Sequence, residues 1–97
     1  MLTSKSRAQL RAMASKLQPI FQVGKGGVNA NMLTQIDDTL EARELIKCRV
    51  LETCSSPAKE AAQDIASKLN ADVVQVIRRC FVIYRKSVKN KQIELVD

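Results

Sequence analysis

The chain of 97 residues has the length of one compact domain and carries a formal net charge of +6, from 16 Lys and Arg against 10 Asp and Glu. It contains no histidine, which excludes the Ser-His-Asp, Cys-His and histidine-ligated metal chemistries. Three cysteines without a C-x-x-C pair, and no run of about 18 apolar residues, predict a soluble cytoplasmic protein with reduced thiols and no membrane partner.

The positive charge is concentrated near the two ends of the chain. Residues 1–28 carry five basic groups and no acidic ones, and residues 78–97 carry six basic groups against two acidic ones. The intervening residues 29–77 have five basic and eight acidic groups. A merely soluble protein intersperses its charges, so this distribution favours a polyanionic partner.

A first helix is predicted over residues 4–17. Thr3 is a suitable N-cap, and apolar residues recur at spacings of three and four along one face. Pro19 ends the helix because the residue before a proline is displaced from the α region. The apolar residues of this face are Leu10, Met13, Ala14 and Leu17.

A short strand over residues 20–23 leads into a loop that contains every glycine of the chain. A second helix follows over residues 30–43, with Asn29 as its N-cap and one apolar stripe. The sequence therefore predicts a strand, a glycine-rich loop and a helix in direct succession. The loop is Gly24-Lys25-Gly26-Gly27.

Four acidic residues lie along the second helix and just beyond it. Neighbouring helix positions point about 100° apart, and nothing else in the sequence supports a metal or acid–base site. We interpret the group as a solvated helix flank that pairs with Arg43 or Lys47. The four residues are Asp37, Asp38, Glu41 and Glu44.

The middle of the chain continues with a strand and a third helix. Residues 45–51 alternate apolar and polar side chains, which is the period of a half-buried strand. The helix is predicted to begin with Ser56 as N-cap and Pro57 at its first position, and to end where Asn70 adopts the left-handed conformation. Its stripe of alanines predicts close packing against a sheet.

Two last strands, over residues 73–77 and 81–85, are too close in sequence for a crossover and form a hairpin. The two strand–helix–strand units before it require parallel strands with right-handed crossovers, and the hairpin adds an antiparallel strand. The order α-β-α-β-α-β-β therefore predicts a two-layer α/β sandwich with a mixed four-stranded sheet. The second and third helices are expected on one face of that sheet.

The whole chain, residues 1–97, is expected to form a single domain. Residues 86–97 are polar and predict a frayed tail, in which Ile93 and Leu95 are the side chains that could dock.

A glycine loop between a strand and a helix is typical of phosphate binding, because glycine permits close approach of the backbone and a helix N-terminus presents N–H groups. No window matches the Walker A pattern G-x-x-x-x-G-K-[ST]. A dinucleotide fingerprint begins at Gly24 and Gly26 but has Asn29 at its third glycine, and the chain is too short for that fold with a substrate site. The basic surroundings favour a G-x-x-G clamp on a nucleic-acid backbone, with a turn that binds no ligand as the alternative.

Adjacent arginines, Arg78 and Arg79, occupy the predicted hairpin turn and are expected to be exposed, because burying an unpaired charge is costly. They suit phosphate contacts or stacking on bases, and a merely solvated turn is the alternative. Other basic pairs allow the same two interpretations. These are Arg7 with Arg11 on the first helix and Lys47 with Arg49 on the second strand.

Five segments of the chain match the pattern of one known family. They are residues 2–5 (LTSK), 19–27 (PIFQVGKGG), 40–47 (LEARELIK), 74–77 (VQVI) and 82–85 (VIYR). Together they resemble the CRM domain (chloroplast RNA splicing and ribosome maturation), and most closely the stand-alone bacterial YhbY-like RNA-binding proteins. The resemblance covers nearly the whole chain.

This resemblance implies an RNA-binding domain with a fold similar to the C-terminal domain of bacterial translation initiation factor three. We accordingly expect a non-catalytic monomer, without metal or cofactor, that binds structured ribosomal RNA and assists assembly of the large (50S) ribosomal subunit. The family's G-x-x-G loop, and basic residues on its first helix and near its sheet edge, supply the expected RNA contacts. The candidate residues are Gly24, Lys25, Gly26, Gly27, Lys5, Arg7, Arg11, Arg78, Arg79 and Arg85.

One position departs from the family pattern. Relatives usually carry glycine followed by arginine after the Val-Ile of the hairpin, whereas Arg78 occupies the glycine place here. Arginine adopts a positive φ only at a cost. Either the turn geometry differs, or the backbone is not left-handed, and the side chain can add a phosphate contact.

Two alternatives belong to other functional classes. A small nucleotide-binding enzyme or switch would use the same strand, glycine loop and helix, and a protein-interaction adaptor would need neither RNA nor nucleotide. Binding of ATP, GTP or NAD would identify the first, and ribosome association that survives high salt and RNase would identify the second.

Overall fold

Seven helices and strands form in the predicted order, in a computed structural model that describes residues 2–54 and 57–95. The predicted α/β class with a mixed four-stranded sheet is confirmed. The elements are α1 (Ser4–Ala14), β1 (Phe21–Val23), α2 (Ala30–Arg43), β2 (Leu45–Val50), α3 (Ala58–Leu69), β3 (Asp72–Ile77) and β4 (Cys80–Tyr84).

Three predicted helix ends are confirmed by their capping geometry. The Thr3 side chain accepts a hydrogen bond from the Ser6 N–H at 3.0 Å, and the Asn29 side chain accepts one from the Met32 N–H at 2.8 Å. Asn70 ends α3 with a left-handed φ of 56°. Each cap satisfies backbone groups that a helix leaves without a partner inside itself.

Two helix boundaries differ from the sequence prediction. α1 ends at Ala14, three residues before the predicted position, and the next N–H groups follow the tighter i→i+3 pattern. α3 begins at Ala58, with Pro57 before it in an extended conformation instead of at the first helical position. The predicted N-cap Ser56 lies outside the described residues.

The sheet has the strand order β1-β2-β4-β3. β1 and β2 are parallel neighbours, while β4 is antiparallel to both β2 and β3. The hairpin therefore places its second strand between the two parallel strands β2 and β3. As a result, β1, β2 and β3 all end at the same edge of the sheet, which we call the carboxyl edge.

One face of the sheet packs against α2 and α3, as predicted. Every second residue of β2 and of β4 points into this core. The small alanine side chains of α3 let that helix approach the sheet closely. This face carries the larger of two hydrophobic cores. Its buried residues include Val23, Ile36, Leu40, Ile46, Cys48, Ala62, Ile65, Phe81 and Ile83.

The other face is covered by α1 over only part of its area. Leu10 and Ala14 of the helix pack against Leu45, Val82 and Tyr84 of the sheet, in a second and smaller core. The predicted two-layer body of sheet, α2 and α3 is present, and α1 adds a partial layer that the sequence did not assign to either face. The uncovered part of this face lies towards the carboxyl edge.

The segment after β4, predicted as a frayed tail, is anchored as far as Leu95. Ile93 is buried and Leu95 packs against the smaller core. The Glu44 carboxylate accepts hydrogen bonds from the N–H groups of Ser87 at 2.8 Å, Gln92 at 2.5 Å and Ile93 at 2.7 Å. An irregular segment has no ladder to satisfy its N–H groups, and this carboxylate takes that role.

The prediction of a solvated acidic flank that pairs with Arg43 or Lys47 is therefore wrong for Glu44 in its solvation, and for Asp37 and Glu41 in their partners. Glu44 is fully buried, Glu41 accepts hydrogen bonds from the segment after β4, and Asp37 pairs with Arg85 at 2.5 Å. The prediction failed because the partners lie more than 40 residues later in the chain. Asp38 is exposed, and the Asp37 side chain is half exposed.

Burial opposes ionisation of Glu44, but the three N–H donors outweigh it and the pKa of this carboxyl is lowered from its ordinary value. The pKa of Glu41 is lowered as well, first by its hydrogen bond from the Ser87 hydroxyl and then by the Lys89 N–H. Both groups are therefore held as carboxylates at neutral pH.

Candidate functional site

The glycine loop is a tight turn at the carboxyl edge. The Gly27 N–H donates to the Gly24 carbonyl at 2.9 Å, and Gly27 has a positive φ of 66° that favours glycine. A Cβ at Gly26 would meet no atom within 4 Å. The fold itself therefore does not require glycine at this position, and the bare backbone leaves room for a ligand.

Lys25 is exposed at the tip of this turn, and within the described residues it forms no ion pair. The N–H groups of Gly27 and Met32 are used internally, by the turn and by the Asn29 cap. The loop thus offers a mobile charge and an open backbone, with fewer unbonded N–H groups than a phosphate-binding helix start would supply.

The two sides of the glycine loop differ in charge. On the α3 side, a cavity of about 250 Å³ is lined by Gly27, Cys54, Glu60 and Asp64 among others. Two carboxylates on that side disfavour an anion. An anionic ligand would therefore approach the loop from the side of the sheet face that α1 only partly covers.

The hairpin turn projects from the same edge of the sheet. Arg78 has a φ of 55°, so the backbone is left-handed at the place where the family pattern has glycine. The Val50 N–H donates to the Arg79 carbonyl at 2.7 Å, which ties the turn to β2. The Arg79 side chain pairs with Glu52 at 3.6 Å, and both side chains are largely exposed.

A basic groove lies between the end of α1 and the uncovered sheet face. Its volume is about 320 Å³. Arg11, Lys47 and Arg78 supply its positive charge, and small or aliphatic side chains supply much of the rest. The groove is lined by Arg11, Ala14, Ser15, Lys47, Gln75, Ile77, Arg78, Cys80 and Val82.

Arg49 extends this positive surface towards the glycine loop. It is exposed on β2, opposite Gln22 of β1 and Cys80 of β4 in the sheet register. Neighbouring strands lie about 4.8 Å apart, so the loop after β1 and the turn after β3 are separated by about 14 Å across the edge. One polyanion chain can contact both.

The structure brings together four of the basic residues predicted from the sequence. Lys25, Arg78 and Arg79 lie at the carboxyl edge, and Arg11 lines the groove beside Arg78. Lys5 is exposed near the start of α1, six residues and about 9 Å along the helix from Arg11. It is therefore separate from the group.

Two other predicted residues contact the protein itself. Arg7 donates to the carbonyl of Val73 at 2.6 Å and to that of Val74 at 3.3 Å. Arg85 bonds to Asp37 and to the Leu69 carbonyl at 3.1 Å, and lies at the opposite edge of the sheet. These contacts give both arginines a structural role.

The sequence left Lys47 and Arg49 undecided between a binding surface and a solvated face, and it indicated no role for Gln75. The period-two alternation of β2 indicated that Lys47 and Arg49 share a face. Nothing in the sequence showed that α1 would leave this face open. No group of three or more acidic or cysteine side chains in the described ranges is arranged to hold a metal ion.

The fold and this surface define a small α/β domain with a glycine loop and a basic groove at one edge of its sheet. The model of the CRS1/YhbY (CRM) domain matches residues 2–85, and the chain belongs to that family. The resemblance drawn from the sequence is thereby confirmed. None of the helices in the described ranges is long and apolar enough to span a membrane.

Relatives and a solved structure agree with this assignment. The chain is 50% identical over 95 residues to "Probable RNA-binding protein YqeI" of Bacillus subtilis (strain 168), covering 98% of this chain and 99% of that protein. It is 32% identical over 80 residues to "CRS2-associated factor 1, chloroplastic" of Zea mays, covering 82% of this chain but 11% of that protein. The solution structure of SAV1595 from Staphylococcus aureus superposes with a TM-score of 0.82 at 51% identity, covering 99% of this chain and 100% of that one.

Proposed function

We propose that this protein binds structured RNA without catalysing a reaction on it, through the glycine loop, the face of β2 and the basic groove. The observation that carries the proposal is the convergence of exposed or half-exposed basic side chains at one edge of the sheet. Within the described residues, five of them form no ion pair. They are Arg11, Lys25, Lys47, Arg49 and Arg78.

The proposed binding mode is electrostatic attachment combined with close backbone approach. Arg49 and Lys47 face the ligand from the sheet, while Lys25 contacts a phosphate at the glycine loop. Gly26 has no side chain to keep the RNA backbone at a distance. The acidic cavity on the α3 side of the loop directs the RNA onto the α1 side.

One further observation supports RNA as the partner. The chain is half identical to a Bacillus subtilis protein named as a probable RNA-binding protein, over nearly the full length of both. The family resemblance also extends the proposal to ribosomal RNA and to assembly of the large ribosomal subunit, with the protein acting as a cytoplasmic monomer.

Charge removal at the loop tests the proposed surface. We expect Lys25→Ala to weaken binding to a structured ribosomal RNA fragment about three- to tenfold at moderate salt, with an unchanged melting temperature. Lys86→Ala is the matched control, because Lys86 is exposed at the opposite edge of the sheet. Equal affinities for wild type and Lys25→Ala would exclude the loop from the interface.

Crosslinking of the protein to RNA in cells, followed by sequencing of the fragments, tests the finer assignment. We expect fragments of large-subunit ribosomal RNA and of its precursors. Fragments from other RNAs would reject the ribosomal assignment while keeping RNA binding. Tight, saturable binding of ATP, GTP or NAD without RNA crosslinks would reject the proposed function in favour of a nucleotide-binding protein.

A further inference from the structure

The basic groove exists because α1 stops short of the carboxyl edge. The helix ends at Ala14, whose small side chain borders the groove together with Ser15. Beyond it, the sheet face presents Ile77 and Cys80 without a helix above them. Ile77 is 54% exposed, which is unusual for a large aliphatic side chain in a strand.

A β-bulge points the Gln75 side chain into this groove. The β3–β4 register shifts between Val73 and Gln75, so Val74 is the extra residue. Val74 and Gln75 therefore both face α1: Val74 packs in the smaller core, and Gln75 lines the groove. Arg7 bonds to the carbonyls of Val73 and Val74 at the bulge, and so acts as a positioning residue for Gln75.

The Gln75 amide is available to a ligand. Among the described residues, no hydrogen bond engages it. An amide offers an acceptor and a donor side by side, which is the pattern that pairs with the N6 and N7 atoms of adenine. The side chain lies above an aliphatic floor and is flanked by three cationic groups.

We propose that the basic groove receives one unpaired RNA base, with adenine preferred. The base face packs on Ile77 beside Cys80, and the Gln75 amide bonds to the base edge. The flanking phosphates contact Arg11, Lys47 and Arg78. A volume of about 320 Å³ is at the small end of ligand sites (about 300–1,000 Å³), which suits one base. This inference rests on the proposed RNA binding and adds to it a site that distinguishes looped RNA from duplex.

Binding of three hairpin RNAs tests the groove. They share one stem and differ only in a loop of adenosines, of uridines or of abasic residues. We expect the adenosine hairpin to bind about tenfold more tightly than the abasic one, with the uridine hairpin between them. Gln75→Ala should remove the preference for adenosine over uridine, and Ile77→Ala should weaken binding to both hairpins with bases.

Matched variants separate this effect from general loss of binding. Val76→Ala is the control for Ile77→Ala, because Val76 directly precedes Ile77 on β3, is 37% exposed and faces the other side of the sheet. Gln63→Ala on the exposed surface of α3 is the control for Gln75→Ala. Both controls should bind all three hairpins like wild type, and Lys25→Ala should weaken all three by the same factor.

Cysteine alkylation locates the base independently of the affinities. Cys80 lines the groove, whereas Cys54 lines the acidic cavity on the far side of the glycine loop. Burial raises the pKa of the Cys48 thiol to about 12, so this third cysteine stays unreactive. We expect the adenosine hairpin to slow iodoacetamide labelling of Cys80 at least fivefold relative to the abasic hairpin, with Cys54 labelled at the same rate in both complexes.

The possible results separate the two proposals. Equal affinities for the three hairpins, with equal Cys80 labelling, would overturn the base-binding groove and leave backbone recognition of RNA intact. Failure of all three hairpins and of ribosomal RNA fragments to bind would overturn the proposed function itself. A preference for adenosine that survives Gln75→Ala would place base recognition elsewhere on the surface.

Discussion

At the scale of one residue, Arg78 occupies a backbone position where glycine would be more stable. Its φ of 55° is left-handed, although it carries a Cβ and a long side chain. A two-residue turn with a positive φ at its first position normally has glycine there. The arginine costs stability at this position, and it adds a charge to the rim of the groove.

Two substitutions of Arg78 separate the strain from the charge. Arg78→Gly and Arg78→Ala both remove the cation, so we expect each to weaken RNA binding about three- to tenfold. Only glycine relieves the left-handed backbone, so the glycine variant should be more stable than the alanine variant by about 1 kcal/mol. Urea denaturation measures this difference, and equal stabilities of the two variants would refute the strain.

Arg85 and Arg79 offer a contrast between a structural and a surface arginine. The Arg85 side chain is 20% exposed and bonded to Asp37 and Leu69, whereas Arg79 is 52% exposed with one long ion pair to Glu52. We expect Arg85→Met to lower the free energy of unfolding by about 2 kcal/mol, because it leaves Asp37 and a carbonyl without their donor. Arg79→Met should change it by less than about 0.5 kcal/mol.

The RNA affinities of the same two variants distinguish a structural arginine from one that contacts RNA. The folded Arg85→Met protein should bind RNA within about twofold of wild type, while Arg79→Met should bind more weakly. Thermal unfolding and binding measured on the same samples decide the assignment. A large loss of affinity in a stable Arg85→Met protein would return Arg85 to the RNA interface.

At the scale of elements, the end of α2 organises the segment that follows β4. Glu44 combines a positive φ of 67° with a buried carboxylate that accepts three backbone N–H groups. Glu41, one helical turn earlier, accepts hydrogen bonds from Ser87 and Lys89. Two carboxylates thus hold residues 87–93 in place without any regular secondary structure.

This anchoring depends on pH in a defined direction. The pKa of Glu44 is lowered from 4.5 in the folded protein, so its contribution to stability is complete above that value and is lost as pH falls through the folded-state pKa. We expect the Ile93 amide to lose its protection from hydrogen exchange in this acidic range. The Val82 amide in the central strand β4 is the internal reference.

Glu44→Gln is the control for the loss of protection at the Ile93 amide in acid. The neutral amide turns one oxygen acceptor into a donor, so the N–H groups that it faced lose a partner, at a cost of about 1–3 kcal/mol. We expect fast exchange at Ile93 already at neutral pH, and no further acid transition there. A transition that persists unchanged in this variant would assign it to Glu41 instead.

At the scale of the whole molecule, the net charge of +6 is spread less evenly over the surface of the folded protein than along its sequence. Three carboxylates of α2 and its end are bonded to Arg85 or to the segment after β4, and two more line the cavity on the α3 side of the loop. The first three are Asp37, Glu41 and Glu44, and the other two are Glu60 and Asp64. Basic side chains converge on the opposite side. The resulting field would attract a polyanion to one face of the protein.

Salt dependence tests how many of these charges contact phosphates. If the five basic residues of the proposed surface (Arg11, Lys25, Lys47, Arg49 and Arg78) each contact one phosphate, the logarithm of the affinity should fall with the logarithm of salt concentration at a slope of about −3 to −5. Removing Lys25 or Arg49 should reduce the magnitude of the slope by about 0.7 to 0.9. Removing Lys86 should leave it unchanged, and an equal reduction there would show that the binding surface is not confined to this face.

Local patterns determined much of this protein from the sequence. Periodicity located the three helices and β2, and the caps at Thr3, Asn29 and Asn70 were predicted because a cap and its helix are neighbours in the chain. The glycine loop and the family were evident for the same reason, since the motif is contiguous. The hairpin turn at Arg78 was also predicted from the sequence, but the left-handed backbone of Arg78 was not.

Only the tertiary structure decided which charged residues are available to a ligand. Arg7, Arg85 and Glu44 find their partners 40 to 70 residues away, at Val73, Asp37 and Ile93. No local pattern encodes such contacts, because they depend on the strand order and on the face that α1 covers. The charge of the chain is thus fixed by its composition, whereas the proposed binding surface arises because the fold pairs some charges internally and leaves others exposed beside an open sheet face.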